Sequence, residues 1–161
     1  MKNELRVLCN SLSVSLSSPP DMDAAALLRA LAQVESSGGA QAIPRFEPAY
    51  SIGGYYYRRA KHVRDLWREY GDWAACSYSP WQILYVVASE LGFDGSPIHL
   101  RDATVAGKYV VRYLNRRIFA RGAKTIAEVG DAYNSGSFAD QMVPTQYIDK
   151  LDKAYRKELG R

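Results

Sequence analysis

The sequence predicts a mainly α-helical domain with one short irregular or β-hairpin segment after its first core helix. Three observations point there. Apolar residues recur at helical spacing in successive stretches, with glycine or proline between them. Residues 36–54, SSGGAQAIPRFEPAYSIGG, carry four glycines, two prolines and no helical period. Nowhere do strand and helix patterns alternate in the manner that builds a doubly wound sheet. At 161 residues the chain is long enough to bury a single continuous core.

Taken in order, residues 1–20 read as an N-terminal extension and 21–161 as the main domain. Within the extension Leu12, Val14 and Leu16 alternate with serines, as in an edge strand or a segment packed on the domain. Pro19-Pro20 closes it, and Asp21 or Asp23 caps a helix over 22–36. A second helix covers 55–70, with Val63, Leu66 and Trp67 inward, and Gly71 stops it. Ser79-Pro80 looks like an N-cap followed by proline at N1, and Ser79-x-x-Gln82 like a capping box. The helix it would open runs through WQILYVVASEL to Gly92 and is the candidate for the central buried helix. Asp102 caps a helix to about residue 119, with Val105, Tyr109, Tyr113 and Leu114 as its stripe. Another helix spans 124–133. Pro144-Thr145 opens the last, with Ile148, Leu151 and Tyr155 at helical spacing.

Composition narrows the function. A net charge of +4 favours polyanions such as nucleic acid, anionic lipid or anionic cell-wall polymer. The basic residues are interleaved with acids, as in RRAKHVRDLWREY, so no nucleic-acid arm is marked. Cys9, Cys76, His62 and His99 form no metal-ligand set of usual spacing, and a Cys9–Cys76 disulfide stays open. No stretch is apolar enough to span a membrane. Glu4, Arg6 and Asn10 break any apolar run at the N-terminus, so no signal peptide is read. Twelve tyrosines and three tryptophans suit a wet groove that stacks on amphipathic ligands, or equally a helical core with hydroxyls at its rim.

One acidic residue stands out. Leu28, Leu31 and Glu35 are spaced i, i+3, i+7, which places the carboxylate on the apolar face of its helix. Desolvation there raises a carboxyl pKa, the condition of a general acid at neutral pH. A solvated glutamate in a last helical turn fits the same spacing. Gly38-Gly39 stops the helix and lets the following backbone pass close to a ligand.

Several segments together resemble one family, the lytic transglycosylases and goose-type lysozymes, which cleave peptidoglycan. Val34-Glu35-Ser36-Ser37-Gly38-Gly39 is similar to its Glu-Ser-x-Gly segment, which holds the catalytic acid. Ser79-Pro80-Trp81-Gln82-Ile83 resembles Gly-Leu-Met-Gln-Ile, with Pro80-Trp81 in place of Leu-Met implying a bulkier, flatter groove wall beside Gln82. Leu100-Arg101-Asp102, Val105, Gly107 and Tyr109 echo a third segment. Ala132-Tyr133-Asn134-Ser135-Gly136 is close to Ala-Tyr-Asn-Ala-Gly, and Pro144-Thr145 with Tyr147-Ile148 resembles a late Glu-Thr-x-x-Tyr-Val. The likeness spans residues 24–155. Arg45-Phe46-Glu47-Pro48 also resembles a Phe-Glu segment of phage and bacterial muramidases.

The resemblance implies a lysozyme-like fold and a monomer that needs no cofactor or metal. It implies a groove for peptidoglycan glycan strands, with no nucleic-acid partner, and action at the cell wall after delivery by a route other than a signal peptide. Glu35 becomes the general acid. Glu47 is the candidate second carboxylate, which an inverting hydrolase needs across the sugar ring and a transglycosylase does not. If Glu47 faces the groove, hydrolysis follows. If it faces solvent or pairs with Arg45, the substrate's own 6-hydroxyl is the nucleophile. Hydrolysis is the favoured side, because the Phe-Glu segment resembles muramidases. Gln82 either completes the capping box or meets substrate. Asn134 either ends a helix in a left-handed turn or binds an N-acetyl group. Tyr133 and Tyr147 either rim the core or approach Glu35, and Ser36 either caps the chain after Glu35 or steadies carboxylate or substrate. The competing class is a non-catalytic wall-binding or structural protein that kept the fold.

Overall fold

A computed structural model describes residues 1–136 and 145–161. Asn3–Ser13 (α1) is a helix packed on the domain, so of the two readings of this stretch the edge strand falls away. Leu5, Leu8, Cys9 and Leu12 recur at three to four residues, and that period outweighs the short alternation at 12–16. Leu5, Cys9 and Leu16 are buried, and α1 shares the core with the next helix, Ala24–Ser36 (α2). Asp23 caps α2, its Oδ1 accepting from the Ala26 amide at 2.7 Å. Leu27, Leu28 and Leu31 are fully buried. Ser37, Gly38 and Gly39 then turn the chain through left-handed conformations, and the Gly38 amide closes back onto the Ala32 carbonyl.

The segment after α2 joins a small antiparallel sheet. Arg45–Phe46 (β1) pairs with Cys76–Tyr78 (β2), Arg45 opposite Ser77, and β2 pairs with Ile83–Leu84 (β3), Tyr78 opposite Ile83. Between β1 and β2 lie a 3₁₀ turn, Pro48–Tyr50, two helices, Tyr55–Arg59 (α3) and Lys61–Tyr70 (α4), and a second 3₁₀ turn, Gly71–Ala75. The single expected helix over 55–70 is thus broken at Ala60, whose backbone is extended. Arg64 reaches back to the Tyr57 and Arg58 carbonyls at 3.2 Å each, satisfying the end of α3.

The expected helix from Ser79 does not start there. Residues 79–82 form the tight β2–β3 turn, with Ser79 and Gln82 at φ +72° and +51°, and the helix Tyr85–Glu90 (α5) begins later. Tertiary contacts outweigh the local cap signal. Trp81 is completely buried and its Nε1 donates to the Leu28 carbonyl at 2.8 Å. Ser36 Oγ donates to the Pro80 carbonyl at 2.7 Å. The turn is therefore bolted to the end of α2. Trp81 belongs to the core, which corrects the expectation of a flat groove wall.

Asp102 caps Ala103–Tyr113 (α6), accepting from the Thr104 and Val105 amides. A π-helical turn follows at Leu114–Ile118 and keeps both of those side chains buried. Ile126–Ser135 (α7) starts with a capping box between Thr125 and Glu128. Thr145–Glu158 (α8) packs on α2 and α7, with Leu151 buried against Gly130. Pro144 lies outside the described residues. Cys9 and Cys76 are both buried and unpaired. Among the described residues, no helix is long and apolar enough to cross a membrane.

Where α1 meets α6, a methyl group on Gly107 would run into Leu12 and press on Trp81. Gly107→Ala is expected to cost about 1–3 kcal/mol, the usual scale of overpacking. A thermal melt checks it; an unchanged or higher melting temperature would mean that α1 yields freely.

Candidate active site

Glu35 is the last residue but one of α2, the helix whose apolar face buries Leu28 and Leu31, and its side chain is 9% exposed. Tyr147, delivered by α8, donates its hydroxyl to Glu35 Oε1 at 2.6 Å. Arg45 Nη1 of β1 stands 3.6 Å from Oε2. Burial dominates and raises the carboxyl pKa, while the Tyr147 hydrogen bond and Arg45 oppose it. The Tyr147 hydroxyl is itself pushed up, by burial first and by the nearby carboxylate second, so it stays a donor.

Because that hydrogen bond favours the ionised form, its removal has a definite sign. Tyr147→Phe is expected to raise the Glu35 pKa further. A pH titration followed by NMR of the labelled carboxyl carbon reads this directly; a fall would show that Tyr147 stabilises the protonated acid instead.

Two adjoining cavities meet at Arg45 and Gln82, which line both. Glu35, Ile43 and Phe46 border the first. Glu47, Ser77, Tyr113, Tyr133 and Asn134 border the second. Arg45 therefore bridges two carboxylates: its Nε donates to Glu47 Oε1 at 2.8 Å. Ser77 Oγ donates to the same oxygen at 3.0 Å. Glu47 Oε2 has no protein hydrogen bond among the described residues. Glu47 thus both lines the groove and pairs with Arg45.

Gln82 sits between the cavities. Its Nε2 donates to the Ile43 and Ser79 carbonyls at 3.2 and 3.0 Å, which fixes the amide orientation. Its Oε1 is buried with no partner among the described residues, on a residue of left-handed backbone. An orphaned buried acceptor costs about 1–3 kcal/mol, and strain of this kind concentrates at ligand sites. A ligand N–H or O–H entering between the cavities would satisfy it. The capping-box role falls away.

The other expected site residues divide. Asn134 is exposed on the second cavity at the end of α7, before the left-handed Gly136. The Tyr133 ring lines that cavity, but its hydroxyl donates to the Trp81 carbonyl at 2.8 Å rather than to Glu35. Ser36 is buried, and its hydroxyl serves the Pro80 and Ala32 carbonyls and the Gly39 amide. It therefore positions the turn behind Glu35, and its oxygen is turned away from the groove. His62 and His99 are exposed and apart from both cavities.

Arg45 and Ser77 were not among the expected site residues. Arg45 was legible, since Arg45 and Glu47 are two apart and an extended chain puts them on one side. Ser77 reaches Glu47 through a strand pairing 32 positions apart (77 − 45) that no local pattern announces. Among the described residues, no group of three or more His, Cys, Asp or Glu could hold a metal ion. Chemically, the arrangement offers a sheltered proton donor at Glu35 and an arginine-held carboxylate at Glu47, on opposite sides of a shared guanidinium. No protein-family model, curated protein or solved structure matches the chain.

Proposed function

We propose that the chain is a peptidoglycan-cleaving glycosidase of lysozyme-like architecture. Its target is the β-1,4 bond between N-acetylmuramic acid and N-acetylglucosamine, and Glu35 is its general acid. The observation that carries this reading is Glu35 itself, its side chain 9% exposed, its carboxyl raised in pKa, lining a cavity beside a glutamine oxygen with no partner among the described residues. A protonated Glu35 gives its proton to the glycosidic oxygen as an oxocarbenium-like centre develops. Gln82 Oε1 accepts from the N-acetyl amide or a hydroxyl of the same sugar, and Asn134 offers its amide farther along.

Hydrolysis is the favoured outcome. Glu47 lines the groove with one oxygen held by Arg45 and Ser77 and the other without a hydrogen bond among the described residues. That oxygen takes the proton of an attacking water, and the product is a reducing sugar. A second reading has its own support. Arg45 holds Glu47 Oε1 in an ion pair at 2.8 Å, and with Glu47 so engaged the 6-hydroxyl attacks and the product is a 1,6-anhydro sugar.

The site of action is the cell wall, where the positive net charge helps retain the enzyme on anionic polymer, an attraction that weakens with salt. Purified peptidoglycan provides the test. Loss of turbidity with release of soluble muropeptides is expected; retention on the wall with no release would favour a non-catalytic wall-binding protein.

A further inference from the structure

The stretch 53–59, GGYYYRR, takes no part in the acid–base machinery, yet it displays two large exposed rings, Tyr55 at 52% and Tyr56 at 42%. Scattered surface aromatics need no explanation, but these are built into a fixed arrangement. Tyr56 stacks on Tyr50 with centroids 4.5 Å apart and planes at 18°. Tyr55 stands edge-on to Tyr56 at 5.0 Å and 84°. The Arg59 guanidinium lies 3.8 Å over the Tyr55 ring.

The backbone beneath is equally fixed. A Cβ on Gly54 would collide with the Pro48 and Ala49 carbonyl oxygens, so only glycine lets the turn bearing Tyr50 pack on the start of α3. Ser51 and Trp67 both donate to Asp72, which ties the turn to α4. Rings ordered before binding lose little freedom when a ligand arrives. Tyr50 also borders the Glu47 cavity, so this surface continues the groove.

We propose that Tyr55 and Tyr56, reached through Tyr50, bind pyranose rings of the same glycan strand beyond the sugars held at Glu35 and Glu47. The inference rests on the glycosidase reading and adds a preference for long strands. A β-linked hexosamine presents a face of axial C–H groups that packs on an aromatic ring, with its hydroxyls and N-acetyl group at the edge. Exposed phenol rings with polar rims match that amphipathic ligand.

The experiment compares Glu35→Gln with Glu35→Gln carrying Tyr55→Ala and Tyr56→Ala. Each is titrated calorimetrically with peptidoglycan glycan strands of graded length, beside a thermal melt. In the parent, affinity is expected to rise with length. In the ring variant it falls about tenfold or more for long strands, the scale of two lost aromatic contacts, and stays unchanged for the shortest that bind. Equal affinity of both proteins at every length would overturn the platform and leave the glycosidase reading standing. So would an equal loss at all lengths with a lowered melt, which makes the rings structural. Loss of a concentration-dependent dimer in the ring variant, with strand affinity intact, would assign the surface to a second copy and overturn the proposal. Failure of the parent to bind any strand would bring down both readings.

Discussion

Glu35→Gln is expected to slow glycan cleavage by about 10²- to 10⁴-fold, the range supplied by a positioned general acid. Glutamine keeps the shape and can still accept from Tyr147, but it has no proton to give. The fold should not suffer. A carboxyl whose pKa is raised on folding binds protons more readily in the native state, so above that raised value the ionised group works against stability. Glu35→Gln is therefore expected to melt no lower than wild type at neutral pH. The difference should shrink to nothing as pH falls through the ordinary glutamate range, where both side chains are neutral. Turbidity loss of purified peptidoglycan, beside melts at several pH values, checks both halves. More than about a tenth of wild-type activity would remove Glu35 from the mechanism.

Trp81→Ala carries the largest expected effect on stability. The ring is completely buried, and its Nε1 is held by the Leu28 carbonyl at 2.8 Å. Truncation of a buried tryptophan typically costs about 3–5 kcal/mol. At about 2–4 °C per kcal/mol for a chain of this size, the melt should fall by roughly 6–20 °C. The Tyr133 hydroxyl and Ser36 both bond to backbone carbonyls of the same turn, at Trp81 and Pro80, so Glu35 and Tyr133 share a support. Activity is then lost through loosening of that turn. A variant that melts like wild type but binds glycan poorly would restore Trp81 to the groove wall.

The parts of the site legible in the sequence were those carried by one helix. Leu28, Leu31 and Glu35 share a face by spacing alone, and of the two readings that spacing allowed the structure has the sheltered one. Asp102 and Asp23 cap the helices they precede, because a cap is a local interaction. Residues 79–82 depart from the expected helix because Ser79-Pro80 carries a strong local helix signal that tertiary contacts override. The turn there is dictated by Trp81 and Ser36, one buried in the core and the other 44 residues earlier (80 − 36). The same holds for α1, where two competing periods overlapped and packing against α2 and α6 decided between them. Glu47 and its pairing with Arg45 were legible as a local possibility, but Ser77 was not, since it meets Glu47 only once β1 lies beside β2.

The most direct measurement of the central claim is mass spectrometry of the muropeptides that wild-type protein releases from purified peptidoglycan, with Glu47→Gln digested in parallel. Cleavage of the glycan at muramic acid is expected, with reducing ends in the wild-type digest and a strong loss of rate in Glu47→Gln. Anhydro ends, one water lighter, with a near-normal rate for Glu47→Gln, would contradict the role of Glu47 and leave Glu35 as the acid. Intact glycan strands after exhaustive digestion would contradict the account at its centre.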